Sequence, residues 1–125
     1  MAHPNVEKYL NMINSGMTDP SVLGDLLTDD VRWYEAGNPQ VIEGRDAVLA
    51  RFASMPGDAP PKIDIIAAVA DDDHLFVEGT AEFAQGDQTL AYRFAERYTM
   101  RDGLVAERRA FMDAVPPDVA AFFGG

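Results

Sequence analysis

Two carboxylates in this chain stand where carboxylates are seldom found. In the stretch LAYRFAERYTM, residues 90–100, an extended backbone puts Leu90, Tyr92, Phe94, Glu96, Tyr98 and Met100 on one face, and Ala91, Arg93, Ala95, Arg97 and Thr99 on the other. Glu96 is the one acid on an aromatic and apolar face. In VRWYE, residues 31–35, Val31, Trp33 and Glu35 share a face in the same way. Near the N-terminus Tyr9 falls in a helical stripe with Val6, Leu10 and Ile13, so its hydroxyl needs a buried partner. A carboxyl group beside apolar side chains is a candidate acid or base, because desolvation disfavours its charged form. Each residue also has a plainer reading. Glu35 is then a strand-end carboxylate in water, Glu96 half of an ion pair with an arginine, and Tyr9 a core tyrosine bonded to a backbone carbonyl.

The other chemistry-bearing residues are weaker candidates. There is no cysteine, hence no disulfide and no thiolate nucleophile. Glycine-rich phosphate loops, HExxH and nucleophile elbows are absent from the sequence. The Asp71-Asp72-Asp73 run lacks the spaced oxygen ligands and the glycine of a calcium loop. His74 follows it directly and reads as a surface residue, and Asp113 carries no stronger signal.

The elements that must position Tyr9, Glu35 and Glu96 follow from periodicity and punctuation. A first helix is expected from Pro4 to a stop at Ser15-Gly16. Asp19-Pro20 caps a second helix with Val22, Leu23, Leu26 and Leu27 on its apolar side, ended by Thr28-Asp29-Asp30. A short strand Val31–Glu35, a loop through Gly37 and Pro39, and a third helix from Gly44 to about Ser54 come next, the last burying Ala47, Val48 and Phe52. Residues 55–61, rich in proline, form a rigid connector. Strands follow at Lys62–Ala70, with Ile63, Ile65, Ala67 and Val69 on one face, and at Leu75–Phe83. The hairpin of residues 90–113 closes the series, turning at Arg101-Asp102-Gly103, where Asp-Gly supplies the positive φ of a tight turn. In the tail, Phe122 and Phe123 are expected to pack on the body or on a partner. Helices gathered before a run of meandering strands give an α+β chain, and a strongly bent sheet can enclose a cavity against a helix.

Length and charge narrow the function classes. The 125 residues suffice for one domain with one core, spanning 1–125. Ten Lys and Arg against 21 Asp and Glu give a net charge of -11, which disfavours nucleic acid and anionic membrane surfaces as partners. No apolar run is long enough to span a membrane and the first residues show no signal-peptide pattern, so a cytoplasmic location is expected.

The order of elements resembles the nuclear transport factor 2-like fold, also called the SnoaL-like or cystatin-like α+β cone. Local echoes are LLTDDVRWYEAG followed by EGRDAVLARF, and YTMRDGLVAERRAFMD near the end. Within that superfamily the chain is most similar to the ketosteroid isomerases. The resemblance places their first-helix tyrosine on Tyr9, in VEKYLNMINSG. It places their general-base aspartate on Glu35 and their oxyanion-hole aspartic acid on Glu96, in RFAERYTM. Both acids are Glu where that group has Asp, which moves each carboxyl by one methylene. The closing RAFM resembles the isomerases' last strand, so Ala110 and Met112 face the cavity.

What the resemblance implies is a cofactor-free, metal-free enzyme that shifts a double bond in a hydrophobic ketone, steroid or polyketide-like, by proton transfer through an enolate. Glu35 would be the base, with Tyr9 and a protonated Glu96 donating to the oxyanion. Trp33, Phe52, Phe94, Tyr98, Ala110 and Met112 are the expected substrate-binding wall, and a homodimer is expected from the family. Strand parity also sends Arg108 inward. An Arg108 beside Glu96 would keep that acid ionised and remove its donor role. The same fold also hosts polyketide cyclases and dehydratases, epoxide hydrolases and non-catalytic ligand-binding domains, and these stay open at this point.

Overall fold

The alternation in residues 90–100 organises the molecule. In a computed structural model that describes residues 3–12, 20–54, 62–113 and 121, these residues lie within a long strand of an open, curved sheet with helices packed on its inner side. The elements are α1 (Pro4–Asn11), α2 (Pro20–Gly24), β1 (Leu27–Tyr34), β2 (Val41–Glu43), α3 (Arg45–Ala53), β3 (Lys62–Ala70), β4 (His74–Gln85), β5 (Gln88–Arg101) and β6 (Leu104–Met112). The sheet runs β2-β1-β6-β5-β4-β3. All neighbours are antiparallel except β1 and β6, which are parallel. This is the expected α+β cone.

The inner face of β5 is as its alternation requires. Phe94, Glu96, Tyr98 and Met100 are buried, while Leu90, beyond the helices, is exposed. The hairpin turns at Asp102 and Gly103, both with positive φ (55° and 79°), the conformation an Asp-Gly pair adopts cheaply. The core joins this face to Val31 and Trp33 of β1, Leu75 and Val77 of β4, Val48 of α3, and Tyr9 and Met12 at α1. The buried side of α1 is Asn5, Tyr9 and Met12, at i, i+4 and i+7. Leu10, expected in the stripe, is exposed.

Three expectations are corrected and one strand is added. The second helix ends at Gly24, and β1 begins at Leu27 where helix was expected. Leu27 pairs with Val105, whose amide donates to the Leu26 carbonyl at 2.8 Å. Leu23 and Leu27, spaced like one helical face, are both buried because a helix end and a strand start converge on the same core. The three-residue β2 is an addition, pairing with the end of β1. In β3 the register slips between Ile65 and Ala67. A bulge moves every later side chain to the opposite face. Ala68 and Ala70 therefore join Ile63 and Ile65 inside, and Val69 is 66% exposed. On α3, Leu49 packs against the core while Ala47 faces solvent.

The stop at Ser15-Gly16, the connector of residues 55–61 and the two phenylalanines of the tail lie outside the described residues. No helix among the described residues is long and apolar enough to cross a membrane. On the outer face of the sheet Ile66, Val69, Phe76 and Phe111 are exposed.

Candidate active site

Glu96 occupies the middle of the sheet's inner face, opposite Val77 of β4 and Ala110 of β6. Both oxygens of its carboxylate accept hydrogen bonds from side chains. Oε1 accepts a hydrogen bond from the Tyr9 hydroxyl at 2.7 Å. Oε2 accepts from Nε of Arg108 at 2.8 Å and from its Nη2 as well. The Arg108 guanidinium is held on two further sides. Nη1 donates to the Tyr34 carbonyl at 3.3 Å, and the charge lies 4.6 Å from the centroid of the Trp33 ring. Side-chain exposure is 16% for Arg108 and 8% for Glu96, so this ion pair is largely desolvated.

Burial governs the ionisation of this cluster. The Tyr9 hydroxyl is pushed far above the ordinary tyrosine range, first by burial and then by Tyr98 and by Glu96. Tyr98 moves the same way, again through burial first and the Glu96 charge second. Burial alone would lower Arg108, but Glu96 and Tyr98 outweigh it and leave the guanidinium more firmly protonated than usual. Beside such a fixed cation, an acid that only accepts is an ionised carboxylate. Glu96, expected as a protonated oxyanion donor, is therefore an acceptor here. Tyr9, expected as the second donor, spends its proton on Glu96.

Glu35 follows directly on β1, and its side chain is 20% exposed. Arg51 of α3 faces it, with Nε 3.1 Å from each carboxylate oxygen. One N–H shared by two oxygens leaves lone pairs of Glu35 unclaimed by Arg51, because a carboxylate offers about four acceptor sites.

Both acids open on one cavity of about 250 Å³, whose walls include all six expected residues: Trp33, Phe52, Phe94, Tyr98, Ala110 and Met112. Arg51 and Arg108 line it too. Trp33 meets Phe52 and Tyr98 edge to face, at 5.7 and 6.4 Å between centroids. Tyr9 stands behind Glu96, almost wholly buried and edge-on to Tyr98. The structure thus brings Glu35 and Glu96 to one cavity, while Tyr9 is outside its wall and reaches the site only through its bond to Glu96. Sequence reasoning missed Arg51, although Val48, Arg51 and Phe52 at i, i+3 and i+4 share a helical face and Val48 was expected inside. His74 is exposed, and the Asp71 carboxylate accepts from the amides of Asp73 and His74, closing the β3–β4 turn. Among the described residues no group of three or more His, Asp or Glu could hold a metal ion.

Comparison with known proteins agrees with this architecture. The family model described as a SnoaL-like domain matches residues 6–108. No curated protein matches the chain. Solved structures do. A candidate SnoaL-like polyketide cyclase from Jannaschia sp. CCS1 aligns with a TM-score of 0.76 at 23% identity, over 94% of this chain and 88% of that one. An epoxide hydrolase of the LEH-like type from M. tuberculosis aligns at 0.71 and 22%, over 88% and 76%. A candidate ketosteroid isomerase from Kribbella flavida DSM 17836 aligns at 0.68 and 24%, over 91% and 79%. At these identities the likeness is one of fold.

Proposed function

The chain belongs to the SnoaL-like domain family, of nuclear transport factor 2-like fold, and from that premise we propose that it removes a proton next to the carbonyl of a small apolar ketone and returns it elsewhere, through an enolate held in the cavity. The observation that carries this reading is that a partly exposed carboxylate, Glu35, and a buried guanidinium, Arg108, line the same apolar cavity.

Glu35 is the base. One of its oxygens takes the α-proton, and the electron pair of the C–H bond moves into the new C=C bond while the carbonyl oxygen becomes an enolate. In a β,γ-unsaturated ketone, protonation at the γ-carbon by the same carboxylic acid completes the double-bond shift. The charge on oxygen is met by Arg108 in place of Tyr9 and Glu96. Of the five N–H groups of a guanidinium, three are engaged by Glu96 and the Tyr34 carbonyl and a fourth by the Tyr98 hydroxyl, which leaves one for a ligand. A cation already fixed in a low-dielectric wall stabilises developing charge without reorganising. Glu96 and Tyr9 become positioning residues that hold the guanidinium in place.

The first half of this reaction is shared with aldol-type ring closure, one way to cyclise a polyketide, and the Jannaschia neighbour is described as a candidate polyketide cyclase. In such a closure the enolate carbon attacks a second carbonyl and Glu35 protonates the new alkoxide. A second reading rests on the ionised Glu96 beside Arg108. It could activate water to open an epoxide, as the name of the M. tuberculosis neighbour would suggest.

The test is ultraviolet absorbance. Cyclohex-3-enone and a bicyclic β,γ-unsaturated ketone should conjugate faster with the protein, and Glu35→Gln should lose that rate. Hydrolysis of cyclohexene oxide that survives Glu35→Gln and fails in Glu96→Gln would instead select the hydrolase. Neither activity, with 2-tetralone still bound, would leave a ligand-binding domain.

A further inference from the structure

Phe94 sits on the inner face of β5 directly opposite Gly79 of β4. Gly79 has no side chain where one would point inward. A Cβ there would meet the Phe94 ring at 2.9 Å and the carbonyl oxygen of Asp64 at 2.5 Å. The β3 backbone therefore passes close to Gly79, beside the bulge at Ile65–Ala67, and the end of the Phe94 ring takes the space that a side chain at Gly79 would need. Phe94 is 8% exposed and forms part of the cavity wall together with Ile63, Ala81 and Tyr92. Ile63 pairs with Ala81, and Ala81 with Tyr92, so these residues line one stretch of the cavity wall from three adjacent strands.

The space they line is small. A dry protein cavity of about 150 Å³ accommodates benzene. At about 250 Å³, this one has room for a substituted single ring or two fused rings. A four-ring skeleton would have to displace the wall or leave its far rings in water. Phe94 is the largest apolar side chain of this group, and the end of its ring stands where Gly79 leaves room.

We propose that Phe94, set against Gly79, is the specificity-determining residue of this site, restricting it to carbonyl compounds of one or two rings. The carbonyl part of that statement rests on the enolate reading above; the size limit does not. Removing the ring extends the cavity along β4 toward Gly79 and admits a longer polycyclic ligand.

The experiment is a binding titration that needs no turnover. Trp33 is the single tryptophan of the chain and lines the cavity, so its emission reports occupancy. The intact protein is titrated with 2-tetralone, a bicyclic ketone, and with androst-4-ene-3,17-dione, a four-ring ketone. The wild type should bind the bicycle at least about tenfold more tightly than the steroid. Phe94→Ala should move that ratio toward the steroid by about tenfold or more, and Phe94→Leu should move it the same way by less. Circular dichroism decides whether each variant is folded, and Phe94→Leu carries the test if Phe94→Ala is not. A wild type that binds the steroid as tightly as the bicycle would overturn the proposal. So would a ratio unmoved in a folded variant, or an emission that 2-tetralone leaves unchanged. Size-selective binding without conjugation of any ketone would sink the enolate reading alone and leave Phe94 in its role.

Discussion

The Tyr9 hydroxyl donates to Oε1 of Glu96 at 2.7 Å, joining the first helix to the middle of the sheet across 87 positions of sequence. This bond decides what both groups are. A tyrosine whose proton is committed to a carboxylate is a brace, and a carboxylate that receives it beside a guanidinium stays charged. Tyr9→Phe removes one donor from a buried acid and leaves Arg108 in place. A hydrogen bond to a charged group contributes about 1.5–3 kcal/mol. Urea unfolding should show a loss of that size, while the turnover number of any ketone substrate falls by less than about tenfold. A drop of about a hundredfold or more would mean that Tyr9 leaves Glu96 and donates to the substrate oxygen, as the isomerase resemblance implied.

The Glu96–Arg108 pair should be costly to break and cheap to remove whole. Arg108→Met strands an ionised carboxylate in the core, with a loss of about 3–5 kcal/mol. Replacing both partners, Glu96→Gln with Arg108→Met, leaves no buried charge and should recover most of that loss. The double-mutant cycle in urea isolates the coupling. Additive losses would show that water already screens the pair. Ketone turnover should fail in either single variant and stay absent in the double, because stability returns without the cation.

Glu35 should behave in the opposite way. Its partner Arg51 has a side chain 41% exposed, and ion pairs open to solvent contribute about 0–1 kcal/mol. Glu35→Gln should leave the unfolding midpoint almost unchanged and lower turnover by about a hundred- to ten-thousandfold, the range of a lost general base. Arg51→Met should leave most of the turnover, since Arg51 meets Glu35 through a single N–H in a pair partly open to solvent. An inert Glu35→Gln would move the base to Glu96 and favour the hydrolytic reading.

These expectations were unequally legible in the sequence. Glu96 and Glu35 stood out because strand parity is a local property, and an acid on an apolar face breaks the pattern wherever the strand lies. Parity put Trp33, Phe94 and Tyr98 on the same faces as the acids, helical spacing put Phe52 on a buried side, and the resemblance turned Ala110 and Met112 inward, but which of them meet a cavity was not legible. The Asp102-Gly103 turn needed only the two residues that form it. What stayed hidden depends on contacts between distant segments. Leu23 and Leu27 satisfy helical spacing, yet β6 draws Leu27 into the sheet. The bulge after Ile65 leaves no mark in KIDIIAAVA, since every residue from Ile65 to Ala70 is apolar and either register looks buried. The charge of Glu96 could be posed as a question about Arg108, and only the guanidinium's position answers it.

The buried tyrosines set a limit on stability at high pH. Tyr9 and Tyr98 have folded-state pKa values above their ordinary 10.0, with burial the leading cause. The unfolded chain releases both protons near the ordinary value, and the folded chain keeps them. Below that value the two states carry equal numbers of these protons, and the stabilisation from the neutral hydroxyls is fully present. Above it the unfolded state binds fewer protons, so stability falls as pH rises. Each such proton contributes about 1.4 kcal/mol per pH unit, and two give roughly twice that slope. Tyrosinate absorbance near 295 nm should therefore lag behind that of an unfolded control and then rise together with the loss of the circular dichroism signal. Tyr9→Phe should reduce the slope of stability against pH by about one proton. A gradual titration of all four tyrosines in the folded protein would show instead that water reaches Tyr9 and Tyr98, and the dry wall behind Glu96 would have to be given up.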